Sequence, residues 1–228
     1  MKLGIIGYGK MGKAIERLAP LYDFQNTVII DNEQDWLNKE KELTTCDVAI
    51  EFSTPQAVLS NLSKCFEAGI PVVSGTTGWK EQQDFFLKQW HNKSLSFVYG
   101  SNFSIGANIF LKINEWLAQQ MNRHPQYKAS IEETHHLHKK DAPSGTALTI
   151  QQTILSQFDP QITIPITSYR EGEVVGDHIV AYESPEDIIQ IKHSALTRDA
   201  FAHGALKAAV WLSKHPGVYA FEEVFGKV

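Results

Sequence analysis

The strongest constraint on the fold lies at the start of the chain. An apolar run at 3–6 is followed at once by Gly7-Tyr8-Gly9-Lys10-Met11-Gly12, where a stretch of helical periodicity begins, and a second apolar run at 27–30 ends on Asp31. Strand, glycine turn, helix and strand in this order open an α/β sheet. In such a unit Gly7 allows the tight turn, Gly9 lets backbone approach a diphosphate, and Gly12 lets the helix pack on the strand. The helix N-terminus offers free N–H groups and a favourable dipole to the anion. An acid about 20 residues farther on, here Asp31, accepts hydrogen bonds from the adenosine ribose. Glycines in a turn can be purely structural, and an acid after a strand can simply be solvated. All five parts in order point instead to a nicotinamide dinucleotide lined by Gly7, Tyr8, Gly9, Lys10, Met11, Gly12 and Asp31.

The pattern continues. Further strands are expected at 47–52, 72–74 and 96–99, with helices at 10–18, 56–68 and 80–90. Gly69 offers the middle helix a left-handed cap, and Pro71 cannot continue it. Two loops follow strands, where open sheets bind ligands. Their small polar residues Gly75, Thr76 and Thr77, and Gly100, Ser101, Asn102 with Phe103, suit a nicotinamide and its ribose. Turn chemistry accounts for either loop alone equally well.

After an amphipathic helix at 105–121 the grammar changes. Residues 128–134 alternate like a strand, 136–143 form a polar loop, a helix starts at Thr146, and strand-like segments run on to His193. A helix at 199–212 and a strand at 218–224 close the chain. The expected class is α/β: a Rossmann-type parallel-sheet dinucleotide-binding domain formed by 1–103 with 202–228. Residues 104–201 form a smaller α+β mixed-sheet domain for the substrate.

A net charge of −5 on 228 residues argues against nucleic-acid binding, which needs a basic stripe. Cys46 and Cys65 show no C-x-x-C spacing and read as reduced thiols. The N-terminal apolar run is too short for a signal peptide, and no run reaches membrane-spanning length. A cytoplasmic protein without membrane partners is expected. Asp31, followed by Asn32 and Glu33, should repel a 2′-phosphate, which predicts NADH in preference to NADPH.

The segment 133–147 reads Glu-Thr-His-His-Leu-His-Lys-Lys-Asp-Ala-Pro-Ser-Gly-Thr-Ala. Ser144 has the form of an N-cap, so Gly145 and Thr146 offer N–H groups at a helix start. A lysine facing such a start makes a pocket for a carboxylate or phosphate. A histidine adds a proton donor near neutral pH. A catalytic metal is disfavoured, because His135 and His136 would face opposite ways along a strand and the lysines repel a cation. A solvated loop without a role is the plain alternative. Hydride transfer from a reduced nicotinamide calls for an acid and a cationic anchor, and this segment holds both.

This run resembles the 4-hydroxy-tetrahydrodipicolinate reductase (dihydrodipicolinate reductase) family of diaminopimelate and lysine biosynthesis. The likeness extends to G-Y-G-K-M-G, V-A-I-E-F-S, G-T-T-G, S-N-F-S-I-G, Y-R-E-G-E-V-V-G-D-H and F-A-H-G-A. It implies reduction of a small cyclic dicarboxylate by NADH or NADPH, with loss of water and no metal. It implies His135 as general acid and Lys139 as the residue that stabilises developing charge and holds a carboxylate. His136, Ser144, Gly145 and Thr146 match substrate-binding positions. It also implies a homotetramer assembled through the second domain's sheet. Three features depart from many members, and the first two are a glycine loop one residue shorter and Asn32 in place of a frequent arginine, which again points to NADH. The connection between 158 and 169 is short as well. Another two-domain dehydrogenase would not need the 135–146 run. A dinucleotide sensor would need neither acid nor anion pocket.

Overall fold

The computed structural model describes residues 1–91, 96–159 and 162–228. In chain order the elements begin β1 (Lys2–Ile6), α1 (Lys10–Leu18), β2 (Asn26–Ile30), α2 (Glu33–Leu43), β3 (Val48–Glu51), α3 (Val58–Glu67) and β4 (Val72–Ser74). Next come α4 (Lys80–His91), β5 (Phe97–Tyr99), α5 (Ile105–Met121), β6 (Lys128–His135), α6 (Gly145–Leu155) and β7 (Ile166–Arg170). The chain ends with β8 (Gly176–Glu183), β9 (Ile188–Ala195), α7 (Asp199–Leu212), β10 (Val218–Ala220) and α8 (Phe221–Val224). Two compact units result, one of residues 1–105 with 199–228 and one of residues 106–198.

The first unit holds a six-stranded sheet ordered β10-β5-β4-β3-β1-β2, and every neighbouring pair is parallel. Its strands alternate between two buried faces. Leu3, Ile5, Val48, Ile50, Val73 and Val98 pack with residues of α1 and α7. Ile6, Val28, Ile30, Ala49, Val72 and Phe97 pack with Trp36, Leu43, Val58, Leu62 and Phe86 of α2, α3 and α4. Burial on both sides is why these strands read as unbroken apolar runs.

Two elements differ from the sequence expectation. The helix α2 was not foreseen, because only Trp36 and Leu43 of its residues are buried and no apolar stripe marks it. Its start is set instead by Asn32, whose Oδ1 accepts the Asp35 N–H at 3.0 Å, and by Glu33 and Asp35 in its first turn. The strand expected over 218–224 stops at Ala220. There the chain turns into α8, as Glu223 Oε2 accepts the Ala220 N–H at 3.0 Å and Phe221 and Val224 bury together at helical spacing.

The second unit is a mixed sheet ordered β7-β6-β8-β9. β6 and β7 run parallel, joined by α6 as the crossover such a pair requires, while β8 is antiparallel to β6 and to β9. One face carries Ala129, Ile131, Val180 and Tyr182 against Phe110, Leu117, Ile150 and Ile154 of α5 and α6. Toward the end of β6 the same face turns polar, with Glu133 opposite His178 and His135 one step beyond. The short connection expected between 158 and 169 includes residues 160–161, which lie outside the described residues.

Candidate active site

In the first unit the expected cofactor residues follow the C-terminal ends of the strands. Gly7 follows β1, Asp31 follows β2, Gly75 follows β4 and Gly100 follows β5. β1 lies between β2 and β3, so the strand order reverses there, at the point where open sheets bind ligands. Gly7 has φ +88°, and a Cβ on it would stand 2.1 Å from the Phe52 carbonyl oxygen, so no other residue fits.

Three cavities cover this edge. One of about 390 Å³ is lined by residues including Gly7, Tyr8, Gly9, Asp31, Ser53 and Asn61. A second, of about 320 Å³, is lined by Gly9, Lys10, Met11, Gly75, Thr76 and Thr77 among others. A third, of about 330 Å³, is lined in part by Thr76, Thr77, Gly100 and Ser101. Gly12, Asn102 and Phe103 line none of them. Gly12 packs against the Gly7 carbonyl within the turn. Asn102 Oδ1 accepts the Ser104 N–H at 2.9 Å. The Phe103 ring is buried in the core, 4.5 Å from that of Phe221 between centroids.

The donor set fits a dinucleotide. α1 begins on Gly9 with no side-chain cap and no acid in its first turn, and nothing crowds the space a Gly9 side chain would fill. Asp31 braces the turn, its Oδ1 accepting the Tyr8 N–H at 2.6 Å, while its own N–H donates to Asp35 Oδ2 at 3.0 Å.

Beneath these loops lies Glu51, to which sequence reasoning gave no role. It is fully buried; Ser74 donates to Oε2 at 2.6 Å, Thr76 donates to Oε1 at 2.9 Å, and the Ser53 hydroxyl bonds Oε1 as well. Burial raises its pKa, and the hydroxyls of Ser53, Ser74 and Thr76 oppose that rise. The carboxylate joins the loops after β3 and β4. Its signal was the acid that ends the apolar run V-A-I-E.

The second unit gathers a different cluster. His135 ends β6 and is 7% exposed, with Nδ1 2.9 Å from Glu133 Oε2. The other Glu133 oxygen, Oε1, accepts the Ser144 N–H at 3.1 Å and lies 3.2 Å from Arg170 Nη2. Ser144 caps α6 by accepting the Ala147 N–H at 3.2 Å, and its hydroxyl meets His178 Nε2 at 3.1 Å. Burial pulls the His135 pKa down, with Lys139 and Arg170 adding to the fall and Glu133 opposing it. Burial and then His135 bring His178 down to about 4. Burial would raise Glu133, but hydrogen bonds from Ser144 and Ser168 carry it below the usual range.

Lys139 is held by Asp141, with Nζ 2.8 Å from each carboxylate oxygen. Arg170 pins the same loop, donating to the Asp141 carbonyl at 2.6 Å and to the Lys139 carbonyl at 3.3 Å. Gly145 is exposed, and His136 and Thr146 are partly buried. The structure thus joins His135, Ser144 and, through Arg170, the backbone of Lys139. Glu133, Arg170 and His178 were absent from the expected site, although all three lie in motifs visible in the sequence. Glu133, His135 and His178 place donor atoms within 4.8 Å of one another, as metal ligands would. Yet Arg170 already meets the Glu133 charge, with Nη2 3.2 Å from Oε1.

Residues 1–103 match the family described as dihydrodipicolinate reductase, N-terminus, and residues 106–225 match its C-terminus. The 4-hydroxy-tetrahydrodipicolinate reductase of Christiangramia forsetii is 39% identical over 98% of this chain and 97% of that protein. That of Rickettsia rickettsii is 32% identical over 99% of both. A solved structure, dipicolinate-bound dihydrodipicolinate reductase from Paenisporosarcina sp. TG-14, has a TM-score of 0.76 at 20% identity, covering 100% of this chain and 99% of that one, and shows likeness of fold. Two half-chain matches and relatives aligned from end to end place this chain in the dihydrodipicolinate reductase family.

Proposed function

We propose that this protein reduces 4-hydroxy-tetrahydrodipicolinate to tetrahydrodipicolinate with NAD(P)H, in diaminopimelate and lysine biosynthesis. The observation that carries the reading is the cluster of His135, Glu133, Ser144 and the Arg170-pinned Lys139 loop, in a chain that also has a complete dinucleotide edge. The overall change consumes one hydride and one proton and releases one water.

A bound reduced nicotinamide supplies the hydride; the remaining tasks fall to this chain. The glycine turn and the start of α1 receive the diphosphate, and Asp31 receives the ribose hydroxyls. Gly75 to Thr77 and Gly100 to Ser101 flank the rest of the cofactor. His135 delivers the proton, and a bound dicarboxylate adds negative charge that favours its protonated ring. Lys139 binds a substrate carboxylate as it now binds that of Asp141. The N–H groups of Gly145 and Thr146, with His136 and Ser144 alongside, take the second carboxylate. The reading needs no metal. Cofactor choice favours NADH, because no arginine follows Asp31 to meet a 2′-phosphate. The working form is a cytoplasmic homotetramer built through the mixed sheet.

The test is oxidation of NADH, and separately of NADPH, by protein supplied with synthase product made in situ from pyruvate and aspartate semialdehyde. Synthase-dependent oxidation, faster with NADH, is expected. His135→Gln should lower turnover roughly 10²- to 10⁴-fold with NADH binding retained, and Lys139→Ala should do comparable damage. No oxidation by protein that binds NADH would overturn the function. Wild-type turnover in both variants would overturn the site.

A further inference from the structure

We propose that Glu133 is the positioning residue of His135, and that Arg170 ties this carboxylate to the loop that carries Lys139. The inference rests on the reading of His135 as the acid and adds the residues that hold it ready.

The sheet register lays these groups out as a grid. Arg170 and His135 pair across β7 and β6, and Gly176 at the start of β8 lies against the His135 ring. One row back, Ser168, Glu133, His178 and His193 lie side by side across β7, β6, β8 and β9. Glu133 is therefore buried with Ser168 on one side, His178 on the other and His135 one step along its own strand. His135 Nδ1 and Glu133 Oε2 come within 2.9 Å as an ion pair, and among the described residues both atoms are buried with no hydrogen-bond partner. Buried polar atoms are nearly always satisfied, and a small rotation of the ring would let Nδ1–H donate to the carboxylate oxygen that already stands 2.9 Å away. The tautomer follows. With the Nδ1 proton given to Glu133 as a hydrogen bond, Nε2 is the atom that carries and gives up the transferable proton.

Gly176 supplies the second constraint. A Cβ at this position would stand 3.0 Å from His135 Nε2 and 3.3 Å from Cδ2, so the absent side chain leaves the ring its place. Arg170 then couples acid and anchor. One guanidinium meets Glu133 Oε1 at 3.2 Å and the carbonyls of Lys139 and Asp141 at 3.3 and 2.6 Å. The groups that face His135 are thus Glu133 on β6, Arg170 on β7, His178 on β8, and Lys139 with Asp141 in the loop. Of these, Glu133 and Asp141 favour its charged form, and Lys139 and Arg170 oppose it.

The experiment compares wild type, His135→Gln, Glu133→Gln and Gly176→Ala for turnover against pH, NADH binding by fluorescence, and histidine NMR titration with His135 assigned from its own variant. Glu133→Gln keeps the size of the side chain and removes its charge. The His135 titration should move to lower pH, the alkaline limb of kcat/KM should move with it, and turnover at neutral pH should fall about tenfold or more. NADH affinity should stay within about twofold, since the dinucleotide residues are untouched. If Glu133→Gln does not fold, Gly176→Ala leaves Glu133 and Arg170 in place and should still lower kcat with NADH affinity kept. Unchanged His135 titration and turnover in a folded Glu133→Gln protein would overturn the inference. So would wild-type kcat in Gly176→Ala where Glu133→Gln cannot be made. Wild-type turnover in His135→Gln would instead overturn the underlying reading of the acid.

Discussion

His178 lies 5% exposed on the polar end of the mixed sheet, and its pKa of about 4 links it to stability. In the unfolded chain a histidine takes up its proton near pH 6.5, and the folded protein resists doing so until about pH 4. The unfolded state therefore binds more protons in that interval, and the native state loses stability as the pH falls through it, by roughly 2–3 kcal/mol. Urea denaturation at pH 7 and pH 4.5 should show this loss. His178→Gln should lose less over the same interval, and equal losses in the two proteins would reject the assignment. The buried thiols behave differently. Burial raises both, Cys46 to about 11, so each stays neutral and inert near neutral pH.

Among the elements, α6 has the most to lose from one atom. The Ser144 hydroxyl accepts the Ala147 N–H at the helix start and partners His178 Nε2. Ser144→Ala removes the cap and leaves a buried imidazole without that partner, a cost of about 1–2 kcal/mol. A fall in denaturation midpoint of that size, largely restored by Thr, is expected; an unchanged midpoint would count against the capping role. Ser144 could be read as a cap from the sequence because a cap is a local event. α2 could not be read from periodicity, since its helical state rests on Asn32 and on packing of Trp36 and Leu43. α8 was masked because Phe221 and Val224 look as apolar as a strand, and only their shared burial makes the spacing helical.

For the whole molecule, the two sheets differ in what covers them. The parallel sheet is packed on both faces, whereas the mixed sheet packs α5 and α6 on one face, with Ser130, Thr134, Ile179 and Ala181 of the other only partly buried. Assembly through that second face is the proposed use of it. Native mass measurement should give four times the 25.6 kDa chain mass. Ile179→Asp should yield smaller species, and a monomeric wild type would reject the tetramer. Among the described residues no helix is long and apolar enough to cross a membrane.

The sequence by itself determined the parallel sheet, the glycine turn with Asp31, and the histidine- and lysine-bearing loop before a capped helix. These are written in local spacing, where a short apolar run, a glycine or a cap residue acts on its neighbours. Only the tertiary structure decided which distant side chains share a proton or a charge. Glu51 meets Ser74 and Thr76, and Glu133 meets Ser144 and Arg170, across separate strands, loops and a helix start. Strand register sets those meetings, and burial gives them weight, because a carboxylate removed from water must find its partners within the protein.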